Sequence, residues 1–161
     1  MPVAPGEDID ASDIPVERYP IGRLQQATNQ SIPDATLTAL TWTTEAIDTD
    51  GQHDPVTNTS RITPNLAGYY RFDVCYYSEA AASPANMDVS VRQNGTGTIA
   101  SGNRVVGATI ANSVSGWTIL ACNGTTDYVE FLAFQDSAGA ELTNVSSRFT
   151  SFCTWQYLRP L

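Results

Sequence analysis

From Tyr70 onward apolar and polar positions alternate without a break. Tyr70, Phe72, Val74 and Tyr76 fall on one side of an extended chain, and Arg71, Asp73, Cys75 and Tyr77 on the other. This period of two predicts a central β-strand with one face for a core and one for solvent or a neighbouring subunit. Shorter stretches repeat the pattern. Met87, Val89 and Val91 alternate with Asp88, Ser90 and Arg92, and the run ends at Asn94-Gly95, a dipeptide suited to the positive φ angles of a tight hairpin. Val105 to Ala111 reads as a weaker strand broken by Gly107. Trp117 to Cys122 and Tyr128 to Phe134 flank a second Asn-Gly at 123 and 124. Arg148 to Leu158 reads as the last strand. Thr36 to Thr43 is rich in β-formers and apolar on both faces, with Leu40 and Trp42 on one and Leu37 and Ala39 on the other. Such a strand is expected to be covered twice. Many short strands between turn signals, with no helical period, predict an antiparallel β-sandwich or barrel.

Before the body, residues 1–24 read as an extended N-terminal arm, and residues 25–161 as a single β domain. Pro2, Pro5, Pro15 and Pro20 interrupt regular structure in the arm, while Glu7, Asp8, Asp10, Asp13 and Glu17 keep it solvated. Ile9, Ile14, Val16 and Tyr19 are spaced apolar residues among these, which suits a segment that orders along another surface. They are the candidate partner-binding residues.

Composition narrows the classes. The 161-residue chain carries 17 acidic residues against 8 basic ones, all arginine, for a formal charge of -9. An acidic chain lacks the basic footprint that nucleic acid requires. No apolar stretch has the length of a membrane span, and no charged-then-apolar leader precedes the body. Neither a nucleic acid nor a membrane partner is expected. Cys75, Cys122 and Cys153 are odd in number and widely spaced, which fits free thiols in a reducing cytoplasm rather than a disulfide framework. Five N-x-S/T triplets, at Asn29, Asn58, Asn94, Asn123 and Asn144, read as turn composition.

Several motifs together resemble a known family. Gly68-Tyr-Tyr-Arg-Phe72 resembles the G-x-Y-x-F strand of the C1q-like jelly rolls, relatives of the tumour-necrosis-factor trimers. Arg61-Ile-Thr-Pro-Asn-Leu-Ala67 sits where that family has its F-x-x-P-x-x-G approach, with Ile62 in place of the aromatic. Phe149-Thr-Ser-Phe152, three residues before Trp155, is similar to the closing S-x-F-S-G-F strand, with Ser151 in place of glycine. Ile47 to Asp54, followed by Asn58 and Arg61-Ile-Thr, is similar to the version in many tailed-phage structural proteins. The resemblance spans roughly residues 32 to 158. It implies a ten-stranded antiparallel jelly roll that assembles as a homotrimer, with the first and last strands near the three-fold axis. On that reading Leu37, Leu40, Trp42, Phe149, Phe152 and Trp155 form the trimer interface.

Candidate chemistry is sparse. Asp48, Asp50 and Asp54 around Gly51 invite a calcium reading, but the EF-hand spacing fails at the fourth and fifth places and lacks the closing Glu. An Asp-Gly turn with carboxylates capping backbone amides is the expected use. His53, the single histidine, has no nucleophile elbow beside it. Tyr69, Tyr77 and Trp117 suit interface packing or a sugar-stacking patch. No metal, cofactor or catalytic group is therefore expected. The functional expectation is a non-enzymatic virion structural protein. It would be a trimeric decoration (cement) protein on the outside of a phage head, made in the host bacterial cytoplasm and bound to the major capsid protein or another virion protein. A short arm before the body favours this over the receptor- or glycan-binding head of a tail fibre or baseplate. A polysaccharide depolymerase is the third class, with no carboxylate pair that the sequence singles out.

Overall fold

The computed structural model describes residues 19–79, 85–106, 112–146 and 148–161. Two five-stranded antiparallel sheets face each other. The first runs in the order β4 (Thr44–Asp48), β1 (Ile21–Gln25), β14 (Phe152–Arg159), β6 (Gly68–Ser78) and β9 (Asn112–Cys122). The second runs β3 (Thr38–Ala39), β10 (Val129–Gln135), β7 (Ala85–Gln93) and β8 (Thr96–Val106), with β5 (Arg61–Ile62) also pairing with β10. Four two-residue segments form separate ladders: β2 (Ser31–Ile32) with β11 (Glu141–Leu142), and β12 (Val145–Ser146) with β13 (Phe149–Thr150). The fold class is all-β. The described residues hold fourteen strands rather than ten because these four short segments lie outside both sheets.

The alternation in β6 works as its spacing predicts. Tyr70, Phe72, Val74 and Tyr76 are buried against the opposite sheet, where Phe72 meets Phe131 of β10 edge-on at 6.4 Å. Met87, Val89 and Val91 supply the inward face of β7. Asn94 and Gly95, at φ 53° and 72°, close the β7–β8 hairpin in the left-handed conformation that their residue types favour.

Three expectations need correction. The arm does not run to residue 24: Ile21–Gln25 is a full strand between β4 and β14, and Leu24 is buried in the core. Its proline-rich lead-in disguises a segment whose register is supplied by strands distant in sequence. Residues 36–43 are not one long strand either. Only Thr38–Ala39 pairs, while Leu40 and Trp42 turn into the core, the Trp42 amide donating to Thr59 O at 2.8 Å. Finally, the segment expected as the first strand does not share a sheet with the last: β3 and β14 lie in opposite sheets. β14 runs between β1 and β6.

Candidate functional site

The outward face of the β4-β1-β14-β6-β9 sheet carries several exposed apolar side chains. In an antiparallel sheet, partnered residues share a face, so the registers carry each outward position across in rows. One row reads Ile47, Arg23, Thr154, Asp73, Trp117. The next reads Ile21, Gln156, Arg71, Ile119. Ile21, Ile47 and Ile119 are exposed, and Trp117 is 57 % exposed. A third row places Phe152 and Cys75 side by side. A depression of about 660 Å³ lies here, lined by Asp73, Cys75, Tyr77, Trp117 and Phe152 among others.

Arginines lie over the aromatics of this face. Arg71 sits 5.0 Å from the Trp117 ring centre, Arg23 5.3 Å from Phe152 and Arg159 4.9 Å from Tyr69. Arg71 also holds Asp73 through two nitrogens, Nη2 to Oδ1 at 2.7 Å and Nε to Oδ2 at 2.9 Å. Exposed cation–π contacts contribute only ~0.5–1 kcal/mol each, so they hold the arginines in place more than they stabilise the fold. The face thus presents Arg23, Arg71 and Arg159 beside Asp73, on a chain whose net charge is -9. It is a locally cationic part of an acidic molecule that also carries exposed apolar side chains.

The predicted site residues divide sharply. Leu40, Trp42 and Trp155 are buried within the subunit itself, at 0 %, 0 % and 2 % exposure, and so do not reach a neighbour. Phe152 is half-buried on the outward face, and Phe149 is exposed beside it, its ring 5.8 Å from that of Tyr77. Leu37 is exposed but precedes β3 in the second sheet. Tyr19 stacks on Tyr157 at 4.9 Å, joining the end of the arm to the body. Ile9, Ile14 and Val16 lie outside the described residues. Tyr69, Trp117 and Tyr77 do not form a stacking platform: Trp117 pairs with Asp73, midway between Tyr69 and Tyr77, which lie eight residue steps and about 26 Å apart at strand rise. The sequence does not place Ile21, Ile47 and Ile119 on one outward face, since each sits in a stretch whose partner strands set its face.

The other candidates serve the fold. Asp48 accepts from the amides of Asp50, Gln52 and His53, and Asp54 from those of Val56 and Thr57, so both carboxylates cap backbone turns. Among the described residues no group of three or more His, Cys, Asp or Glu side chains is placed to hold a metal ion. His53 has its ring buried between Glu45, 2.8 Å from Nδ1, and the Thr59 carbonyl, 3.2 Å from Nε2, with no nucleophile in contact. All three cysteines are free and buried. Burial pushes the Cys122 thiol up to about 12 and Cys153 well above its ordinary value, which makes both poor nucleophiles at neutral pH.

No family model matches the chain, and no curated protein matches it. Solved structures do. Murine APRIL at pH 5.0 superposes with a TM-score of 0.63 at 14 % identity, over 88 % of this chain and all of that one. The Eiger TNF from S. frugiperda superposes with a TM-score of 0.60 at 12 % identity, over 90 % of this chain and 96 % of that one. The chain has a TNF-like jelly-roll fold.

Proposed function

We propose that the chain is a non-enzymatic structural subunit that self-associates through the outward face of its β4-β1-β14-β6-β9 sheet into a homotrimer, and that the trimer decorates the outside of a phage head. The observation that carries the proposal is that face. Trp117, Ile119, Ile21 and Ile47 stand exposed in adjacent rows beside a depression of about 660 Å³. Ile21 with Ile47 at one edge of the sheet and Trp117 with Ile119 at the other flank the polar positions Arg23, Thr154, Asp73, Gln156 and Arg71, and exposed apolar surface of this kind marks association sites. Arg23, Arg71 and Arg159 make the face complementary in sign to the acidic remainder of a second copy. A face that seeks a different surface on its neighbour makes a head-to-tail contact, and such contacts close into a ring when the rotation between copies is one third of a turn.

The virion assignment rests on the resemblance of residues 47–63 to tailed-phage structural proteins and on an acidic arm suited to lying along another surface. The partner on that reading is the major capsid protein or another virion protein. Gold-labelled antibody against the chain, imaged on intact particles, tests the location. Label spread evenly over the head is the expected result. Label confined to the tail tip would replace decoration with a receptor-binding head, and absence from particles would remove the virion reading altogether.

A further inference from the structure

A second depression, about 300 Å³, is lined by Asp54, Asn58, Arg61, Thr63, Thr126 and Tyr128, with Thr57. None of these residues belongs to the sheet that carries the association face. The lining holds a carboxylate and a guanidinium that do not pair with each other. Asp54 is fixed from behind, its Oδ1 accepting from the Val56 and Thr57 amides at 2.8 and 3.0 Å. Arg61 is fixed separately: its guanidinium lies 4.0 Å from the Tyr128 ring centre, and its Nε is 3.6 Å from Glu130, which already holds Arg92. Both charged groups are thus held in place by neighbours, the Val56 and Thr57 amides for Asp54 and the Tyr128 ring and Glu130 for Arg61.

That combination selects a ligand by its chemistry. A bare anion is disfavoured by Asp54 and a bare cation by Arg61. An apolar ligand finds little beyond the Tyr128 ring, whose face Arg61 covers. A hydroxyl group suits both charges, because it donates to a carboxylate and accepts from a guanidinium. Vicinal hydroxyls on one ring satisfy both at once, with the Thr63 and Thr126 hydroxyls adjacent. The volume is at the lower end for small-molecule sites, the size of one ring rather than several. We propose that this depression binds a neutral hexose unit. The inference is independent of the subunit's oligomeric state and of its location on a particle.

The test is titration of the full-length protein with the methyl glycosides of glucose, galactose and mannose, followed by amide chemical shifts. At least one should bind with a millimolar dissociation constant and move the resonances of Asp54, Arg61, Thr63 and Tyr128. Asp54→Asn keeps the oxygen that caps Val56 and Thr57 while removing the charge, and Thr63→Val keeps the shape. Each should leave the rest of the spectrum unchanged and weaken binding roughly tenfold. A linear trisaccharide binding as the glycoside does indicates a pocket for one unit, and a tighter one indicates a groove continuing along a chain; both uphold the proposal. It is overturned if none of the three sugars moves these resonances, if the shifts survive both substitutions, or if inorganic phosphate or calcium chloride moves them equally.

Discussion

Individual residues in this sandwich are constrained most tightly where β1 passes over the core. Gly22 pairs with Trp155, and a Cβ at Gly22 would fall within the buried indole. Trp155 has no room to move, since it is 2 % exposed and packed in the central cluster. Gly22→Ala is therefore expected to cost at least ~1–3 kcal/mol, the range for overpacking, read as a lower urea midpoint with an unchanged slope. A midpoint within error of the parent would mean that β1 lies farther from Trp155 than the register requires. A different residue governs acid behaviour. The Asn86 side chain and amide, donating at 2.7 and 2.6 Å, hold the Asp136 carboxyl below its ordinary value. A folded-state pKa lowered in this way stabilises above the unfolded value and is lost as pH falls through the folded one. The melting temperature should thus decline below about pH 4, and Asp136→Asn should shallow that decline. An identical acid limb in both proteins would show that Asn86 does not hold Asp136 in solution.

Elements differ in how far they can be read from their own residues. β6 was legible because its period of two is complete and one face is wholly apolar, so only one orientation buries it. β7 and its hairpin were legible for the same reason, with Asn94-Gly95 marking the turn. β8 was not: Thr96 to Val106 is Thr-Gly-Thr-Ile-Ala-Ser-Gly-Asn-Arg-Val-Val, which has no alternation, and β7 templates it. β1 was hidden for a related reason, as a short strand set between two partners that arrive later in the chain. The closing segment shows a third case, in which one reading was divided by a single residue. Phe149–Thr150 leaves the sheet to pair with β12, and Ser151 between it and β14 is fully buried. Its amide donates to Asn144 O at 3.3 Å and its hydroxyl accepts from the Tyr77 amide at 3.0 Å. The serine where the resembling family has glycine therefore has a structural use: it fills a backbone bond that the departing strand leaves open. Ser151→Ala should leave the half-buried Tyr77 amide without this partner and cost about 1 kcal/mol, and Ser151→Gly no less. Denaturant titration decides it; a neutral Ser151→Gly would mean that water replaces the hydroxyl.

At the scale of the whole molecule, the association face and the arm make separate demands that two sets of variants can separate. Trp117→Glu with Ile119→Asp places charge in the exposed rows without touching the core, since both side chains point away from it. Parent protein should sediment at three times its 17.3 kDa chain mass and the double variant as a folded monomer; a variant that remains trimeric would move the interface off this sheet. On the decoration proposal the arm acts outside that contact. Tyr19 stacks on Tyr157, and the carbonyl of the buried Pro20 accepts from the Tyr157 amide at 2.9 Å, so a clean truncation must stop before Tyr19. Residues 1–18 carry Glu7, Asp8, Asp10, Asp13 and Glu17 against Arg18, with Ile9, Ile14 and Val16 between them. On the decoration proposal these apolar residues lie along the shell and the acids meet basic positions there, so attachment weakens as salt screens them. Three arms on one trimer act together, and effective concentration makes their joint grip far exceed that of one. Deleting residues 2–18 should therefore leave a trimer with the parent's melting temperature that no longer binds particles lacking the protein. The double variant, keeping its arm but monomeric, should bind them weakly and lose most of its attachment in moderate salt. Full decoration by the truncated trimer would place the shell contact on the body, and loss of trimerisation on truncation would make the arm part of the subunit contact instead.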